Sequence, residues 1–277
     1  MDLGVMIDIW EDTEFTGAFE QAVGAGFTRG QVNVYLPEIT PNEMRKLALA
    51  ASQEGFHVDA MGCYINPLRL YDASLSRTGF NEWKTVVEHM VMLNGVERIV
   101  CWSGTLGRTV ETPNLLNQEE ETFNSLFVAV SAMLEQVRGF PVQIILEPYT
   151  AHVVYDAKIC KRLTQQFPNG DVRVVLDAPA IIPYKDVGHH DTHTQDLVRE
   201  IAPSAGMVHL RDLVRTDGGT RVLTRPGSGY LNYAAYLREI SQHLPAVPVI
   251  VAGAKTGPEM TQSRLFLEGL LREISIR

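Results

Sequence analysis

The stretch VQIILEP (residues 142–148) is an apolar run that ends in an acid, Glu147, followed by a proline. The pattern returns about thirty residues later in VVLD (174–177), which ends in Asp177, and again in MVH (207–209), which ends in His209. In a parallel barrel the carboxyl ends of consecutive strands open at one mouth, so we expect these three side chains to meet there. Two carboxylates and one imidazole predict a divalent-metal site, and therefore an enzyme.

Outward from these runs, short stretches rich in Val, Ile and Leu alternate with amphipathic stretches along the whole chain. The predicted strands cover residues 3–9, 29–36, 57–63, 98–101, 142–146, 172–176, 207–210 and 247–251. The predicted helices cover about 14–25, 40–54, 80–93, 119–137, 157–166, 194–201, 233–243 and 259–274. Eight βα units in a chain of 277 residues favour one domain, a single (β/α)8 TIM barrel over residues 1–277. A doubly wound sheet is disfavoured, because no glycine fingerprint follows the first strand.

The start of the second helix is marked by a capping signal. Thr40 is placed to cap the helix, Pro41 suits its first turn, and Glu43 at the third position completes a capping box. Glycines such as Gly26 and Gly55 stand where helices are expected to end.

The charge of the chain bears on its binding partners, and its N-terminus and cysteine content bear on the cellular compartment. The formal net charge is −9 and no basic run occurs, which argues against nucleic acid as the main partner. We expect no signal peptide, because the N-terminus turns acidic at once, and no membrane span, because no apolar run approaches about 20 residues. The cysteines, Cys63, Cys101 and Cys160, are odd in number and widely spaced, which indicates reduced thiols in a cytoplasmic protein.

Each member of the predicted metal site also has a plain structural interpretation. Glu147 could be an exposed loop acid after a strand, Asp177 could cap the segment that follows it, and His209 could be a core residue with a backbone partner. One such residue in each successive βα unit favours the metal site over the three separate explanations. Carboxylate oxygens and a neutral imidazole nitrogen suit Mn²⁺, Mg²⁺, Co²⁺ or Zn²⁺.

Other side chains near the predicted strand ends suit a sugar. Trp102, Asn66 and Tyr149 are candidates for substrate binding, since aromatic rings cover C–H faces and amides bind hydroxyls. Lys255, after the eighth strand, is a candidate catalytic acid or carboxylate-binding group, with a solvated loop lysine as its alternative.

These motifs together resemble the sugar phosphate isomerase/epimerase superfamily, whose fold is the xylose isomerase-like TIM barrel. The strings that carry the resemblance are Ile145-Leu146-Glu147-Pro148, Val175-Leu176-Asp177, Val208-His209-Leu210-Arg211-Asp212 and Arg225-Pro226-Gly227-Ser228-Gly229. The resemblance implies Glu147, Asp177 and His209 as metal ligands. It also implies Arg215, six residues after His209, as a substrate-binding arginine, and the alternative is a surface arginine in a long polar loop.

Two departures from the family pattern bear on the chemistry. The family's fourth ligand, a glutamate that also acts as an acid/base in the epimerases, would fall near Ala252, where this chain has no acid. The histidine or asparagine often found three residues after the family's aspartate is Ala180 here. The metal could then keep three protein ligands, or another residue could replace the glutamate, or the site could be degenerate. The candidate replacements are His189, His190, His193 and Lys255.

Three functions follow from these residues. The first is a divalent-metal-dependent isomerase or epimerase of a small ketose-like carbohydrate, acting through an enediolate. The second is a lyase, a dehydratase or decarboxylase of a sugar acid or keto acid, which the missing glutamate and the cations Arg211, Arg215 and Lys255 favour. The third is a non-catalytic sugar-binding barrel. Phosphodiester cleavage is disfavoured by the acidic charge and the small number of ligands at the strand ends.

A homo-oligomer is possible through the apolar face of the helix near 123–134. This face would contain Leu126, Phe127, Val130 and Met133. Packing of the same face against the barrel is the alternative.

Overall fold

The computed structural model describes residues 1–35, 40–71, 79–182, 190–215 and 221–275. Its strands are β1 (Leu3–Ile9), β2 (Arg29–Val34), β3 (His57–Gly62), β4 (Arg98–Trp102), β5 (Gln143–Glu147), β6 (Val172–Leu176), β7 (Ala205–Leu210), β8 (Asp212–Arg215), β9 (Arg221–Thr224) and β10 (Val249–Val251). Eight of them form a closed parallel barrel in the order β1-β10-β7-β6-β5-β4-β3-β2. The predicted (β/α)8 TIM barrel is therefore confirmed.

Helices connect the barrel strands. They are α1 (Phe15–Gly24), α2 (Pro41–Gln53), α3 (Pro67–Tyr71), α4 (Gly79–Asn94), α5 (Glu120–Gln136), α6 (Ala157–Gln165), α7 (Ala178–Ile181), α8 (His190–Ile201), α9 (Tyr233–His243) and α10 (Gly257–Ser275). The short helices α3 and α7 were not predicted, because four or five residues are too few to show helical periodicity. None of the helices in the described part of the chain combines the length and the apolar character needed to cross a membrane.

The capping box of α2 is confirmed. The Glu43 N–H donates to Thr40 Oγ1 at 3.3 Å, and the Thr40 N–H donates to Glu43 Oε2 at 3.1 Å. Gly26 and Gly55 follow helices with φ of +90° and +65°, a conformation that favours glycine.

The barrel interior is filled by small and medium apolar side chains, so it is a packed core rather than a pore. The interior set consists of Met6, Ala60, Val100, Ile145, Val175, Met207, Ile250 and Ala252. A larger core lies between the strands and the helices, and Leu126, Val130 and Met133 of α5 are fully buried in it. The apolar face of α5 is thus largely occupied by packing within the chain, and a homo-oligomer stays a prediction without support from this face.

Arg215, for which a surface position in a long polar loop was the alternative, ends the strand β8, which pairs with β9 in a two-stranded antiparallel sheet. Its base is held by Asp212, whose carboxylate accepts N–H groups from Gly227, Gly229 and Leu231 at 2.9–3.2 Å. A Cβ on Gly229 would lie 2.3 Å from Asp212 Oδ1. The aspartate and the Pro-Gly-Ser-Gly turn are therefore parts of one structural unit.

Candidate metal centre

Glu147, Asp177 and His209 meet at the carboxyl-terminal mouth of the barrel. Glu147 ends β5, Asp177 directly follows β6, and His209 lies near the end of β7. One possible ligand atom from each lies within 4.8 Å of the others, and all three side chains are buried. His209 Nδ1 lies 3.5 Å from Glu147 Oε2 and 4.0 Å from Asp177 Oδ2.

Two of these atoms have no hydrogen-bond partner. Asp177 Oδ2 and His209 Nδ1 are inaccessible to solvent and have no hydrogen-bond partner, and only Asp177 Oδ2 has a cation beside it, Arg211 Nε at 3.3 Å. A buried polar atom without a hydrogen-bond partner costs about 1–3 kcal/mol. Ligand atoms about 2.1 Å from one ion lie roughly 3–4 Å from each other, and the distances from His209 Nδ1 to Glu147 Oε2 and to Asp177 Oδ2, 3.5 Å and 4.0 Å, agree with this. The two atoms without a hydrogen-bond partner and the donor set therefore fit a divalent cation.

Asp177 is both a helix cap and a candidate ligand. Its Oδ1 accepts the Ala180 N–H at 3.3 Å at the start of α7. Its Oδ2 is left facing His209 and Glu147. The capping interpretation and the ligand interpretation are thus compatible, because each uses a different oxygen.

Arg211 is a cation beside the two carboxylates. Its Nη2 lies 3.2 Å from Glu147 Oε1, and its Nε lies 3.3 Å from Asp177 Oδ2. With one guanidinium and two carboxylates the group carries one net negative charge, and a divalent ion would reverse that sign. Burial alone would lower the pKa of Arg211, but the two acids raise it above its ordinary value, so Arg211 stays charged.

The two carboxyl groups have opposite pKa shifts. Burial raises the pKa of Glu147, but Arg211, His209 and the Tyr64 hydroxyl outweigh it and lower the pKa to about 2. Burial raises the pKa of Asp177, and the charge of Glu147 adds to this, so its pKa stays above the ordinary value despite Arg211. Once Glu147 is ionised, a second buried charge beside it is less favourable, which explains the difference.

A chain of polar side chains from β1–β3 supports the ligands. Gln31 Oε1 lies 2.9 Å from His209 Nε2, and Gln31 Nε2 donates to Asn33 Oδ1 at 2.7 Å and to the Tyr64 hydroxyl at 3.1 Å. Tyr64 in turn donates to Glu147 Oε2 at 2.7 Å. Gln31 was not predicted from the sequence, although polar residues at 31 and 33 that alternate with valines are a period-two signal for one face of a strand.

Tyr64 has an unusual backbone. Its φ is +46°, and it is the only non-glycine residue in the described part of the chain with a positive φ. Such a conformation costs about 1–3 kcal/mol and is concentrated at functional sites. Here it accompanies the hydroxyl that holds Glu147.

Aromatic rings form a row around the mouth. The consecutive pairs, by centroid distance, are Trp10–Tyr35 at 4.2 Å, Tyr35–Tyr64 at 6.0 Å, Tyr64–Trp102 at 4.5 Å, Trp102–His152 at 5.5 Å and His152–Tyr149 at 5.5 Å. The predicted substrate residues Trp102 and Tyr149 belong to this row and are half-buried. The row gives the ligand cluster an apolar wall.

The other predicted site residues lie in different surroundings. The Asn66 side chain is occupied by backbone groups, since Nδ2 donates to the Thr105 carbonyl and Oδ1 accepts from the Leu68 and Thr105 N–H groups. Arg215 is exposed at the end of β8. Lys255 is exposed and borders a cavity of about 500 Å³ that Asp8 also lines.

No replacement acid is found at the end of β10. Ala252 is fully buried in the barrel interior, and Ala180 is buried in α7. His189 and the side chain of His190 lie outside the described residues, and His193 is half-buried on α8. Among the side chains that the structure describes, the triad alone forms a three-residue metal-ligand cluster.

No protein-family model and no curated protein matches this chain. Solved structures do resemble it. D-psicose 3-epimerase with D-tagatose from Clostridium cellulolyticum H10 is 13% identical with a TM-score of 0.72, covering 98% of this chain and 99% of that one. A D-tagatose 3-epimerase-like protein is 12% identical with a TM-score of 0.74, covering 99% and 98%.

A xylose isomerase-like TIM barrel protein from Mycobacterium smegmatis in complex with magnesium is 10% identical, with a TM-score of 0.68, over 95% of this chain and 90% of that one. At such identities the likeness shows the fold. The expected fold, a TIM barrel like that of xylose isomerase-like proteins, is therefore confirmed.

Proposed function

We propose that this protein is a divalent-metal-dependent isomerase or epimerase of a small ketose-like or related carbohydrate, acting through an enediolate. The observation that carries the proposal is the buried cluster of Glu147, Asp177 and His209, in which Asp177 Oδ2 and His209 Nδ1 have no hydrogen-bond partner. It is supported by neighbours such as D-psicose 3-epimerase and L-ribulose 3-epimerase, which share the fold. Mn²⁺, Mg²⁺, Co²⁺ or Zn²⁺ suits the ligands, and when bound it would supply Lewis acidity toward adjacent carbonyl and hydroxyl oxygens of the substrate.

Glu147 is the group proposed to move the proton. Its low pKa keeps it ionised at neutral pH, so it can accept a proton from carbon, but the same low pKa makes it a weak base, since a general base works best with a pKa near the working pH. Tyr64 on Oε2 and Arg211 on Oε1 fix the orientation of the carboxylate. The substrate would lie against the aromatic row, with Trp102, Tyr149, Asn66 and Arg215 as the proposed binding residues, although the backbone contacts of Asn66 leave little free donor or acceptor capacity.

A single acid/base favours isomerisation over epimerisation. One carboxylate can take a proton from one carbon and return it to the neighbouring carbon on the same face. Inversion at one carbon needs a proton donor on the opposite face, where the family glutamate would stand and this chain has the buried Ala252. Lys255 is the candidate for that second group if the reaction is an epimerisation.

A lyase on the same scaffold is the second candidate. Arg211 lies beside Glu147 and Asp177, and its positive charge could stabilise an acidic substrate. In addition, a dehydratase or decarboxylase needs no symmetric pair of bases. Release of water or carbon dioxide from a sugar acid would separate it from an isomerase. A non-catalytic sugar-binding barrel is the outcome if no metal binds.

Elemental analysis of protein purified without chelator tests the metal site. We expect near-stoichiometric metal in the wild type and its loss in Glu147→Ala and Asp177→Ala. Glu239→Ala is the matched control, because Glu239 is a buried carboxylate on α9 paired with Arg199 away from the mouth. Absence of metal from the wild type after incubation with Mn²⁺ would overturn the proposal.

Deuterium incorporation then tests the chemistry. The Mn²⁺-loaded wild type in D₂O is incubated with a panel of ketoses and followed by NMR. Exchange of a C–H next to the carbonyl supports an enediolate, and its absence across ketoses, together with turnover of a sugar acid, supports the lyase instead.

A further inference from the structure

We propose that Gln31 is a positioning residue: its amide, oriented by Asn33 and Asp8, fixes His209 as the Nε2–H tautomer and points the Nδ1 lone pair at Glu147 and Asp177. We call Asp8, Asn33 and Gln31 the amide relay. This inference rests on the proposed function only where it gives the tautomer a role in metal binding, since the tautomer itself can be observed without metal.

The orientation begins at Asp8. This exposed carboxylate can only accept, and Asn33 Nδ2 donates to its Oδ1 at 2.7 Å. The amide nitrogen of Asn33 is therefore directed to Asp8, and the Asn33 oxygen is directed to Gln31. A reversed Asn33 amide would place oxygen against oxygen.

The Asn33 oxygen sets the orientation of Gln31. Both N–H groups of the Gln31 amide are used, one on Asn33 Oδ1 and one on the Tyr64 hydroxyl oxygen. Gln31 Oε1 is then left for His209 Nε2 at 2.9 Å. Gln31 and Asn33 are almost completely buried, so water cannot compensate for a reversed amide.

An amide oxygen at that position requires a donor on His209 Nε2. A neutral imidazole protonated at Nε2 carries its lone pair on Nδ1. That nitrogen is the unpaired atom 3.5 Å from Glu147 Oε2 and 4.0 Å from Asp177 Oδ2. Whenever His209 is neutral, the relay therefore leaves its Nδ1 lone pair on the side where the carboxylate oxygens also lie, as a metal ion would require.

The same amide also reaches a second ligand. By donating to the oxygen of Tyr64, Gln31 leaves the Tyr64 O–H free to donate to Glu147 Oε2. One neutral side chain on β2 therefore orients the imidazole of β7 and the carboxylate of β5. Partners of this kind orient ligands in metal sites, and their removal typically costs 10–100-fold in affinity.

Nitrogen NMR of the metal-free, ¹⁵N-labelled protein tests the inference. Long-range ¹H–¹⁵N correlations report which ring nitrogen carries the proton, and His209→Gln identifies the His209 signals. At a pH at which the imidazole is neutral, we expect wild-type His209 to carry its proton on Nε2. Gln31→Met should give a mixture of tautomers and weaken Mn²⁺ binding about 10–100-fold.

Two further variants keep the test decisive if Gln31→Met is poorly folded. Asp8→Asn changes an exposed residue and should leave the fold intact. Because asparagine can donate as well as accept, the Asn33 and Gln31 amides should no longer be held in one orientation, and a second His209 tautomer should appear. Gln143→Met is the matched control, since Gln143 on β5 donates to the Gly170 carbonyl outside the relay; it should change neither the tautomer nor Mn²⁺ affinity.

The outcomes separate this inference from the proposed function. A neutral wild-type His209 that carries its proton on Nδ1 overturns the relay even if the protein binds metal. An Nε2–H tautomer that persists in both Gln31→Met and Asp8→Asn also overturns it. An Nε2–H tautomer lost in these variants, in a protein that binds no metal, supports the relay and refutes the metal-dependent function.

Discussion

Two sides of the barrel mouth build the candidate site in different ways. On the β5–β7 side, Glu147, Asp177 and His209 bring the atoms that could bind a metal ion, each at or near the end of its strand. On the β1–β3 side, Gln31 and Tyr64 act only through hydrogen bonds to those ligands. The electron-pair donors and the groups that orient them are therefore encoded in separate parts of the chain, which the closed barrel brings together.

Asp177→Asn should have the largest effect and tests the ligand side alone. The asparagine Oδ1 can still accept the Ala180 N–H, so the cap of α7 is kept while the charge facing His209 is lost. We expect Mn²⁺ affinity to fall by more than about 100-fold, beyond the loss typical of supporting residues, and turnover to fall with it. Titration calorimetry on both proteins measures this.

The distinction between the β5–β7 side, which is the ligand side, and the β1–β3 side, which is the supporting side, depends on which variant loses more Mn²⁺ affinity. If Gln31→Met lost as much Mn²⁺ affinity as Asp177→Asn, the supporting side would have to be counted as part of the ligand set. Circular dichroism of Asp177→Asn supplies the control, because an unchanged spectrum shows that the affinity was not lost through unfolding.

Arg211→Met should mainly change stability. Removal of the guanidinium leaves two buried carboxylates without their cation, and breaking such a pair costs about 3–5 kcal/mol. We expect a lower free energy of unfolding in EDTA and a larger gain from Mn²⁺ than in the wild type, because the ion replaces the missing charge.

Arg29→Met is the matched control for this effect. Arg29 pairs with the buried Asp59 between β2 and β3, outside the ligand cluster. Its loss should also lower stability, but Mn²⁺ should restore none of it. Equal Mn²⁺ rescue of both variants would show that the ion binds elsewhere.

Gly62→Ala tests the supporting side with a smaller expected effect. A Cβ at this position would lie 2.2 Å from Asn33 Oδ1 and 2.8 Å from Tyr64 Cε2, so both side chains must shift. We expect about 1–3 kcal/mol of lost stability from overpacking and weaker Mn²⁺ binding through Tyr64 and Asn33. Gly24→Ala in α1, where no atom lies within 4 Å of the new Cβ, should affect neither quantity adversely.

The ligand side could be predicted from sequence because its signal is local. An apolar run that ends in Glu147, Asp177 or His209 carries both the strand and the chemistry, and the βα spacing brings the ends together. The fold was predictable for the same reason. Most boundaries shifted by a residue or two, as where β3 ends at Gly62 before the unusual backbone of Tyr64. The helix α8 begins at His190, four residues before its predicted start.

The supporting side was harder to predict because its roles depend on contacts far apart in the chain. Gln31 contacts His209 across 178 positions, and no local pattern reports that pairing. The ion pairs of Arg211 with Glu147 and Asp177 are likewise tertiary.

Lys255→Met should have the smallest effect, and it extends the comparison to the end of β10. The Lys255 backbone N–H donates to Glu259 Oε2 and its side chain is exposed, so the substitution should preserve the start of α10. For a one-base isomerisation we expect turnover within about 3-fold of the wild type, far below the 10²–10⁴-fold contribution typical of a general acid or base. A fall of 100-fold or more, with Mn²⁺ binding unchanged, would instead make Lys255 the second acid/base. The reaction would then be an epimerisation, in which Glu147 at the end of β5 and Lys255 after β10 act as the two acid/base groups.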